Sequence, residues 1–466
     1  MYRLENNVAW TEELKEAFKH GTTRGKVVYG NTTYDEQNHL VSIEIQDDRY
    51  VPDLGFIGQA VSRQATIELV DLDKNINLEN KTLDIYIGAD YNGQTYYINY
   101  GKFIVNDPPE NDDTNGKIKI VAYDYMLKFN KDINENLLHF PCKLKQLLQN
   151  VCAQAGVELG TTSFANEDFE VENNQYVGKQ LRDMLKGICQ CAFSWARIGQ
   201  DNKLYLDFNA TGSTTETITT DDYKQDAFKK ANEYYGPVNV VTYADSDIQG
   251  QEESVADSQS IVEHGETELI IYDNLFAYTE AKRKALINAG TRLFGLKYMP
   301  VQEFKLTGLV YLDSRDIIEV ENEENETFLT RVFNHTIRYQ GYVEDEIVND
   351  STTEIQRQYK NNNSAVAQNS RTEIIVDKAN QKITSVVEEI GDREGKTTTI
   401  TQDIDGLEAK VEKSVSFEDT VEGRGELETQ EAWSFLVLEL EIKGVAIYEG
   451  YFHCNDYYCG DSYANG

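Results

Sequence analysis

The sequence is short of positive charge. Lys and Arg number 44 in 466 residues against 80 Asp and Glu, which leaves a formal net charge of −36 at pH 7. A protein of this sign repels the phosphates of nucleic acids and the headgroups of anionic lipids. We therefore expect neither a membrane nor a nucleic acid as a bound partner.

The sequence also lacks a long hydrophobic run. The longest apolar stretch near the end, "FLVLELEI", is interrupted by acidic residues and is far shorter than the roughly 20 residues that cross a bilayer. The first residues, "MYRLENNVAW", contain no apolar signal region. Both observations predict a chain without a leader or a membrane span.

Cysteine is scarce as well. Six cysteines in 466 residues do not form the dense framework of a disulfide-rich domain, so we predict reduced thiols. Cys189 and Cys191 lie two positions apart on a predicted helix and point in different directions, which favours helix packing over a metal site. Cys454 and Cys459, near His453, leave metal binding and cross-linking both open.

Catalytic motifs are absent too. Neither G-x-S-x-G nor H-E-x-x-H occurs, and His335 in "FNHTIRY" is predicted to be a hydrogen-bonded strand residue rather than a general base. "GTTRGK" at 21–26 has the wrong spacing for a phosphate loop and predicts a loop before a strand. "DLDKN" at 71–75 has Ile76 where a calcium loop needs glycine, so it predicts an acidic turn. We predict no enzymatic activity, no cofactor and no metal site.

What the sequence does contain is alternating apolar and polar residues in short runs. "VSIEIQD", "ATIELVDL", "TLDIYIGAD" and "KIKIVAYDY" predict half-buried antiparallel strands. We predict a mainly β protein with two barrel-like domains, at 1–130 and 211–362, the second containing a helix near 276–294.

Residues 131–210 change to a mixed pattern and predict an inserted α/β domain. One helical face carries Leu144, Leu147, Leu148, Val151, Cys152 and Ala155, and Gly156 follows it as a stop. A second helix is predicted at 178–192. "FSWARIGQDNKLYLDF" then predicts a hairpin around the turn "GQDN".

A narrow apolar seam follows at 363–412, in a part of the chain that contains no proline. Its spacing of three and four residues predicts a coiled-coil linker, and the isoleucines favour a homotrimer. The predicted oligomerisation residues are Val376, Ala379, Ile383, Val386, Ile390, Ile400, Ile404, Leu407 and Val411. A long surface helix or a flexible polar linker is the alternative. Residues 413–466 predict strands that begin a distal fibre, receptor-binding or lysin region.

Several stretches, in order, resemble the N-terminal hub region of phage tail-tip and baseplate proteins, the family often labelled prophage endopeptidase tail or tail-associated lysin. They are "FIGQAVSRQATIEL", "YINYGKFIVNDPP", "KIKIVAYDYMLKFN", "LKQLLQNVCAQAGVELGTTSF", "CAFSWARIGQDNKLYL" and "FNHTIRYQG". The resemblance covers about residues 1–360, and the segment "TTTITQDIDGLEAKVEKSV" is similar to the fibre-linking segments of such proteins.

The resemblance implies a trimeric ring at the virion tail tip, assembled in the cytoplasm of the bacterial host. Its implied partners are the distal tail protein, the tape-measure protein and a distal fibre or host cell-wall receptor. DNA would pass only as cargo, and an acidic channel wall would keep it from adhering.

Two other functions stay open at this point. One is a tail-associated peptidoglycan hydrolase whose catalytic part lies in or beyond the C-terminal region. The other is a carbohydrate-binding adhesin, because 29 tyrosines offer rings that stack on sugars.

Overall fold

The structure is a computed structural model that describes residues 1–349 except 50–56, 73–74, 107, 113–115, 173–178, 209 and 245–251. Beyond residue 349 it describes only strand segments between 353 and 452. The chain divides into two compact units, one covering the described residues up to 349 and the other those from 353 onward. Each unit is described by itself below.

Strands dominate the described residues, as the sequence predicts. The strands of the first unit are β1 (Thr23–Tyr29), β2 (Thr32–Asp35), β3 (Leu40–Asp48), β4 (Gln64–Val70), β5 (Thr82–Tyr91), β6 (Gln94–Val105), β7 (Glu110–Asp112), β8 (Lys117–Asp124), β9 (Cys142–Lys143), β10 (Glu170–Val171), β11 (Trp195–Ile198), β12 (Leu204–Asp207), β13 (Glu216–Ile218), β14 (Tyr223–Lys230), β15 (Val240–Ala244), β16 (Glu252–Ala256), β17 (Glu268–Tyr272), β18 (Val301–Leu306), β19 (Ile317–Glu321), β20 (Thr327–Arg331), β21 (Asn334–Tyr339) and β22 (Val343–Val348).

Helices are few and short in the part of the chain that the structure describes. The α-helices are α1 (Glu12–His20), α2 (Leu144–Ala155), α3 (Leu181–Cys191), α4 (Ser258–His264) and α5 (Glu280–Ile287). Short 3₁₀ helices occupy Glu5–Asn7, Tyr125–Phe129, Glu135–Leu137 and Asn288–Leu293.

Twelve strands form one continuous sheet, in the order β14-β18-β22-β21-β3-β4-β8-β6-β5-β1-β2 with β7 added beside β8. Strand β3 from the N-terminal region pairs antiparallel with β21 from near residue 340, and Ile45 lies opposite Ile337. The prediction of two barrel-like domains is therefore wrong: among the described strands no barrel closes, and both regions share an open sheet. Alternation shows that one face of a strand is buried, but it does not show which strand lies beside it.

The buried face of this sheet encloses the first hydrophobic core. Inward positions alternate with outward ones on nearly every strand, as in β4, where Ala65, Ile67 and Leu69 are buried. Helix α1 adds Leu14 and Phe18 to the same core. Two smaller three-stranded sheets, β13-β19-β20 and β16-β15-β17, extend the unit.

The inserted α/β segment packs around a second core. In α2 every residue of the predicted apolar face is buried, and Gly156 ends the helix in the left-handed conformation with φ of 68°. Helix α3 and the hairpin of β11 and β12 lie where the sequence predicts them. These elements are determined by local spacing, which explains why the sequence predicts them correctly.

The second unit contains two antiparallel sheets. A three-stranded sheet joins β23 (Thr353–Ile355), β24 (Ile375–Asp377) and β25 (Lys382–Ile383). A four-stranded sheet joins β26 (Ile400–Ile404), β27 (Leu407–Ser416), β28 (Ser434–Ile442) and β29 (Val445–Phe452).

Candidate functional surfaces and the buried junction

The outer face of the twelve-stranded sheet is crossed by ion pairs. At its centre Arg338 on β21 donates from Nε to Glu44 on β3 at 2.8 Å and from Nη1 to Glu346 on β22 at 3.2 Å. Near one edge Lys229 on β14 lies 2.7 Å from Glu303 on β18. Exposed pairs of this kind contribute about 0–1 kcal/mol each, so they favour the observed strand register more than they stabilise the fold.

The charges on this face are close to balanced in sign. The described side chains that point outward from β14, β18, β22, β21, β3, β4 and β8 include the cations Lys117, Lys119, Lys224, Lys229, Lys305 and Arg338 and the carboxylates Glu44, Asp48, Glu68, Glu303, Glu344 and Glu346. The acidic surplus therefore comes from other parts of the chain, among them the exposed hairpin loop "ENEENE" between β19 and β20.

Both edge strands of the sheet are poorly suited to pairing with another strand. Strand β2 has only four residues, and β14 pairs with β18 through two register shifts. Short or bulged edge strands discourage the addition of a further strand. Contacts with another protein are therefore expected through side chains on the faces and loops of this unit.

A network of buried charges lies where the two β regions meet the inserted segment. Arg49, just after β3, is 1% exposed and lies 2.5 Å from Asp47 through Nη2. It also donates to the backbone oxygen of Val61 at 3.0 Å and to that of Ala196 in β11 at 3.4 Å. One guanidinium thus connects the main sheet with the inserted hairpin.

Two further arginines belong to this network: Arg63 joins β4 to the end of β8 within the main sheet, and Arg182 joins the inserted segment to it. Arg63, just before β4, donates to the fully buried Asp124 at 3.1 Å. Arg182 of α3 donates to Ser62 Oγ at 2.7 Å and to the Met126 carbonyl oxygen at 2.8 Å. Breaking a buried pair leaves a charge without compensation, so these contacts hold the inserted segment in one orientation.

The buried network also includes Asp313, which lies just before β19 in the C-terminal β region. Arg315 donates to it at 2.7 Å, and Arg197, on β11, pairs with Asp207 at 2.5 Å close by. Burial alone would raise the pKa of Asp313, but the guanidinium groups of Arg197 and Arg315 lower it well below its usual range. The carboxylate is therefore ionised at neutral pH.

His335 is a hydrogen-bonded strand residue, as predicted. Its Nε2 lies 2.9 Å from Asp345, and its Nδ1 lies 3.3 Å from the carbonyl oxygen of Leu312. Asp345 also accepts the backbone N–H of Leu309 at 3.0 Å. The His335 ring and the Asp345 carboxylate are both buried and have partners within the fold, so the pair does not face a substrate.

The two loop motifs have structural roles. In "GTTRGK" helix α1 ends at His20, Gly21 caps it, and β1 begins at Thr23, so the predicted loop is shorter than expected. In "DLDKN" both oxygens of Asp71 accept backbone N–H groups, from Asn75 and Ile76 at 2.9 Å each. Asp73 lies outside the described residues. The described part of this motif is a turn stabilised by its first carboxylate.

The described cysteines are free thiols, and three of them are buried. Cys189 and Cys191 pack within α3, and Cys191 donates to Asn274 Oδ1 at 3.3 Å. Burial raises the pKa of Cys152 to about 12 and raises the pKa of Cys189 and Cys191 as well. Cys454, Cys459 and His453 lie outside the described residues.

Neither a membrane-spanning helix nor a cluster of metal ligands occurs among the described residues. No helix in this part of the chain is long and apolar enough to cross a bilayer. No group of three or more His, Cys, Asp or Glu side chains is placed to hold a metal ion in it.

The predicted oligomerisation residues fall in the second unit. Ala379, Val386 and Ile390 lie outside the described residues. The other six lie in strands rather than in a helix: Val376 in β24, Ile383 in β25, Ile400 and Ile404 in β26, and Leu407 and Val411 in β27. A trimeric coiled coil forms only between chains, so for the assembled protein the seam stays a prediction.

The buried junction is the feature that sequence reasoning missed, although the alternation contained the signal. Asp124 lies an even number of residues from the apolar residues Ile118, Ile120 and Ala122 of β8, and therefore on the same face of the strand. Arg63, which precedes β4, continues the alternation of that strand at a buried position. A charged residue at an inward position of a strand needs a buried partner. The alternation pattern would therefore have been enough to predict a buried ion pair here.

Comparisons with known proteins give structural matches only. No protein-family model matches the sequence, and no curated protein matches it. Among solved structures the chain is similar to the 43 kDa tail protein of prophage MuSo2 from Shewanella oneidensis, with 14% identity and a TM-score of 0.46 over 70% of this chain and 96% of that one.

A tail protein from Neisseria meningitidis MC58 matches with 11% identity and a TM-score of 0.45 over 70% of this chain and 95% of that one. Prophage tail protein gp18 from Listeria monocytogenes EGD-e matches with 10% identity and a TM-score of 0.43 over the same shares. The similar structures are thus phage and prophage tail proteins, and at these scores the likeness carries no argument about function.

Proposed function

We propose that this chain is a structural hub of a phage or prophage tail tip or baseplate. In this proposal three copies form a ring that closes the tail tube, contacts the distal tail and tape-measure proteins, and carries a distal fibre. The sequence resemblance over residues 1–360 supports the assignment. The chain acts as a scaffold and not as an enzyme.

The observation that carries the proposal is the single sheet shared by both β regions. Because β3 pairs with β21, a force applied to either region is transmitted through backbone hydrogen bonds to the other. Arg49 and Arg182 connect the inserted segment to the same region through contacts with Ala196, Ser62 and Met126. This continuity is consistent with a hub that joins a tube to a fibre.

The charge-balanced outer face limits the proposal of an acidic channel. If the strands from β14 to β8 lined the channel, its wall would be close to neutral. The acidic wall therefore requires that a different surface of the chain faces the DNA, for example the loop between β19 and β20. Acidic side chains at that position would repel phosphates and let the DNA slide.

The trimer is tested by placing charge on the predicted seam. Ile383→Asp combined with Ile404→Asp buries an unpaired carboxylate at two seam levels of each copy. We expect the mass measured by light scattering to fall from that of three chains to that of one, with the thermal unfolding of the head unchanged.

Ser385→Asp combined with Gln402→Asp is the matched control, because it adds the same charge away from the seam. An unchanged mass in the seam variant would show that the seam does not form a trimeric coiled coil. If the unmodified protein is a monomer, the proposal of a trimeric hub is wrong. Release of muropeptides from host cell walls by the purified chain would favour the hydrolase instead.

A further inference from the structure

An open cavity of about 430 Å³ lies between the inserted segment and the 3₁₀ helix that follows α5. Its apolar lining comes from Phe208 and from the small side chains of Ala165, Ala210 and Ala289. Cavities of this size accept small molecules or single side-chain-sized groups. The smallness of the alanines is what leaves the space open.

The polar lining consists of one cation and two hydroxyl groups. Arg292 and the threonines Thr211 and Thr291 border the same cavity. Arg292 donates from Nη2 to the carbonyl oxygen of Phe208 at 2.8 Å and from Nη1 to that of Ala192 at 3.3 Å. These two backbone oxygens orient the guanidinium but carry no full negative charge, and an arginine has five N–H donors.

Arg292 has no anionic partner in the described part of the chain. The half-buried guanidinium forms no ion pair with any described carboxylate, although the chain has 80 acidic residues. Burial lowers its pKa, and no neighbouring charge opposes that effect. A desolvated cation without a counter-charge is costly, and an anion in the cavity would offset the cost.

A second guanidinium, that of Arg331, contacts two residues of the cavity lining. Arg331 donates to the carbonyl oxygen of Ala210, and its guanidinium lies 5.7 Å from the centre of the Phe208 ring. Burial lowers the pKa of Arg331 to about 10. One guanidinium, that of Arg292, thus lies in the lining, and a second, that of Arg331, contacts the lining residues.

We propose that this cavity binds an oxyanion, a carboxylate or a phosphate, attached to a small apolar or aromatic body. Arg292 pairs with the oxyanion in the geometry that guanidinium groups favour, and the hydroxyl groups of Thr211 and Thr291 donate to it. Phe208 and the alanines contact the body of the ligand. This inference is independent of the oligomeric state and of the proposed hub.

The test uses the full-length protein and four probes at constant ionic strength: benzoate, its neutral isostere benzamide, phenyl phosphate and inorganic phosphate. Binding is measured by ligand-observed NMR and calorimetry up to about 10 mM. We expect benzoate or phenyl phosphate to bind and benzamide not to bind. The stronger of the two anions tells whether the natural group is a carboxylate or a phosphate, and weaker binding of inorganic phosphate would show that the apolar body contributes.

Arg292→Gln is expected to weaken anion binding at least about tenfold, with Arg292→Lys intermediate. Ala289→Leu fills the cavity and leaves the guanidinium in place, so it should also abolish binding, and it keeps the test valid if Arg292→Gln does not fold. Arg338→Gln, which removes a paired surface guanidinium, is the control and should bind normally.

Three results would overturn the inference. The first is the absence of binding by all three anions. The second is equal binding of benzoate and benzamide, which would make the charge irrelevant. The third is normal binding by a folded Arg292→Gln or Ala289→Leu variant.

Discussion

At the scale of single residues, the fold depends on charges that the structure has removed from water. Asp313 is 3% exposed and depends on Arg315 and Arg197 for compensation. Its folded-state pKa lies below the unfolded value of about 3.9, so the unfolded chain binds the proton more readily. Its contribution to stability is therefore complete above about pH 4 and is lost as the pH falls.

Asp313→Asn tests this dependence. At pH 7 we expect the variant to lose about 1–3 kcal/mol of the free energy of unfolding, because Arg315 loses a hydrogen-bonded carboxylate while Arg197 and Arg315 keep Asp207. Below about pH 4 the difference from the unmodified protein should shrink, since the native carboxylate loses its advantage there. Urea unfolding at a series of pH values measures both effects.

Glu303→Gln is the comparison for Asp313→Asn. Hydrogen bonds from Lys229 and Lys305 lower the pKa of Glu303 to about 2, but the group is close to solvent. We expect a loss below about 1 kcal/mol. A pH-independent difference for Asp313→Asn would contradict the account of the buried network.

At the scale of elements, Gly25 shows how two distant strands fit together. Gly25 lies on β1, and a Cβ atom at this position would come within 2.4 Å of the Tyr339 ring on β21. The sequence motif "GTTRGK" contains this glycine because the ring needs the space, and not because a phosphate is bound. The Tyr339 ring thus packs directly against the backbone of β1 at Gly25.

Gly25→Ala is therefore expected to destabilise the protein by about 1–3 kcal/mol through overpacking. Combining it with Tyr339→Leu should recover part of the loss, and the double-mutant cycle gives the coupling free energy. Thr33→Ala on the exposed edge strand is the control, with an effect within about 0.5 kcal/mol. A coupling near zero would mean that the two strands do not meet as described.

At the scale of the whole molecule, negative charge predominates, whereas the outer face of the twelve-stranded sheet carries similar numbers of positive and negative side chains. We expect no binding to a fluorescent DNA duplex at protein concentrations up to about 10 µM. Lowering the salt from about 150 to 50 mM should not produce binding either, because repulsion between like charges is screened less at low salt. Fluorescence anisotropy measures both conditions.

The matched variant for this experiment converts the outer sheet face to a cationic one. Glu44→Lys, Glu68→Lys and Glu303→Lys together should produce weak binding that disappears as salt rises. Salt-sensitive binding by the unmodified protein would contradict the expectation that DNA passes without adhering.

The sequence by itself determined the features that depend on neighbouring residues. Spacing of three and four residues defined the buried face of α2, and alternation defined the inward face of β4 and β8. Asp124 occupies an inward position in the same alternation along β8, so the sequence pattern alone predicts its burial.

Only the tertiary structure decided which strands are neighbours, and therefore that one sheet replaces two barrels. The pairing of β3 with β21 joins residues almost 300 positions apart, and no local pattern specifies such a partner. The same holds for Arg63 with Asp124, and for the cavity beside Arg292, whose walls come from separate segments. Packing over long sequence distances selects these contacts, because each depends on the shape of the complete core.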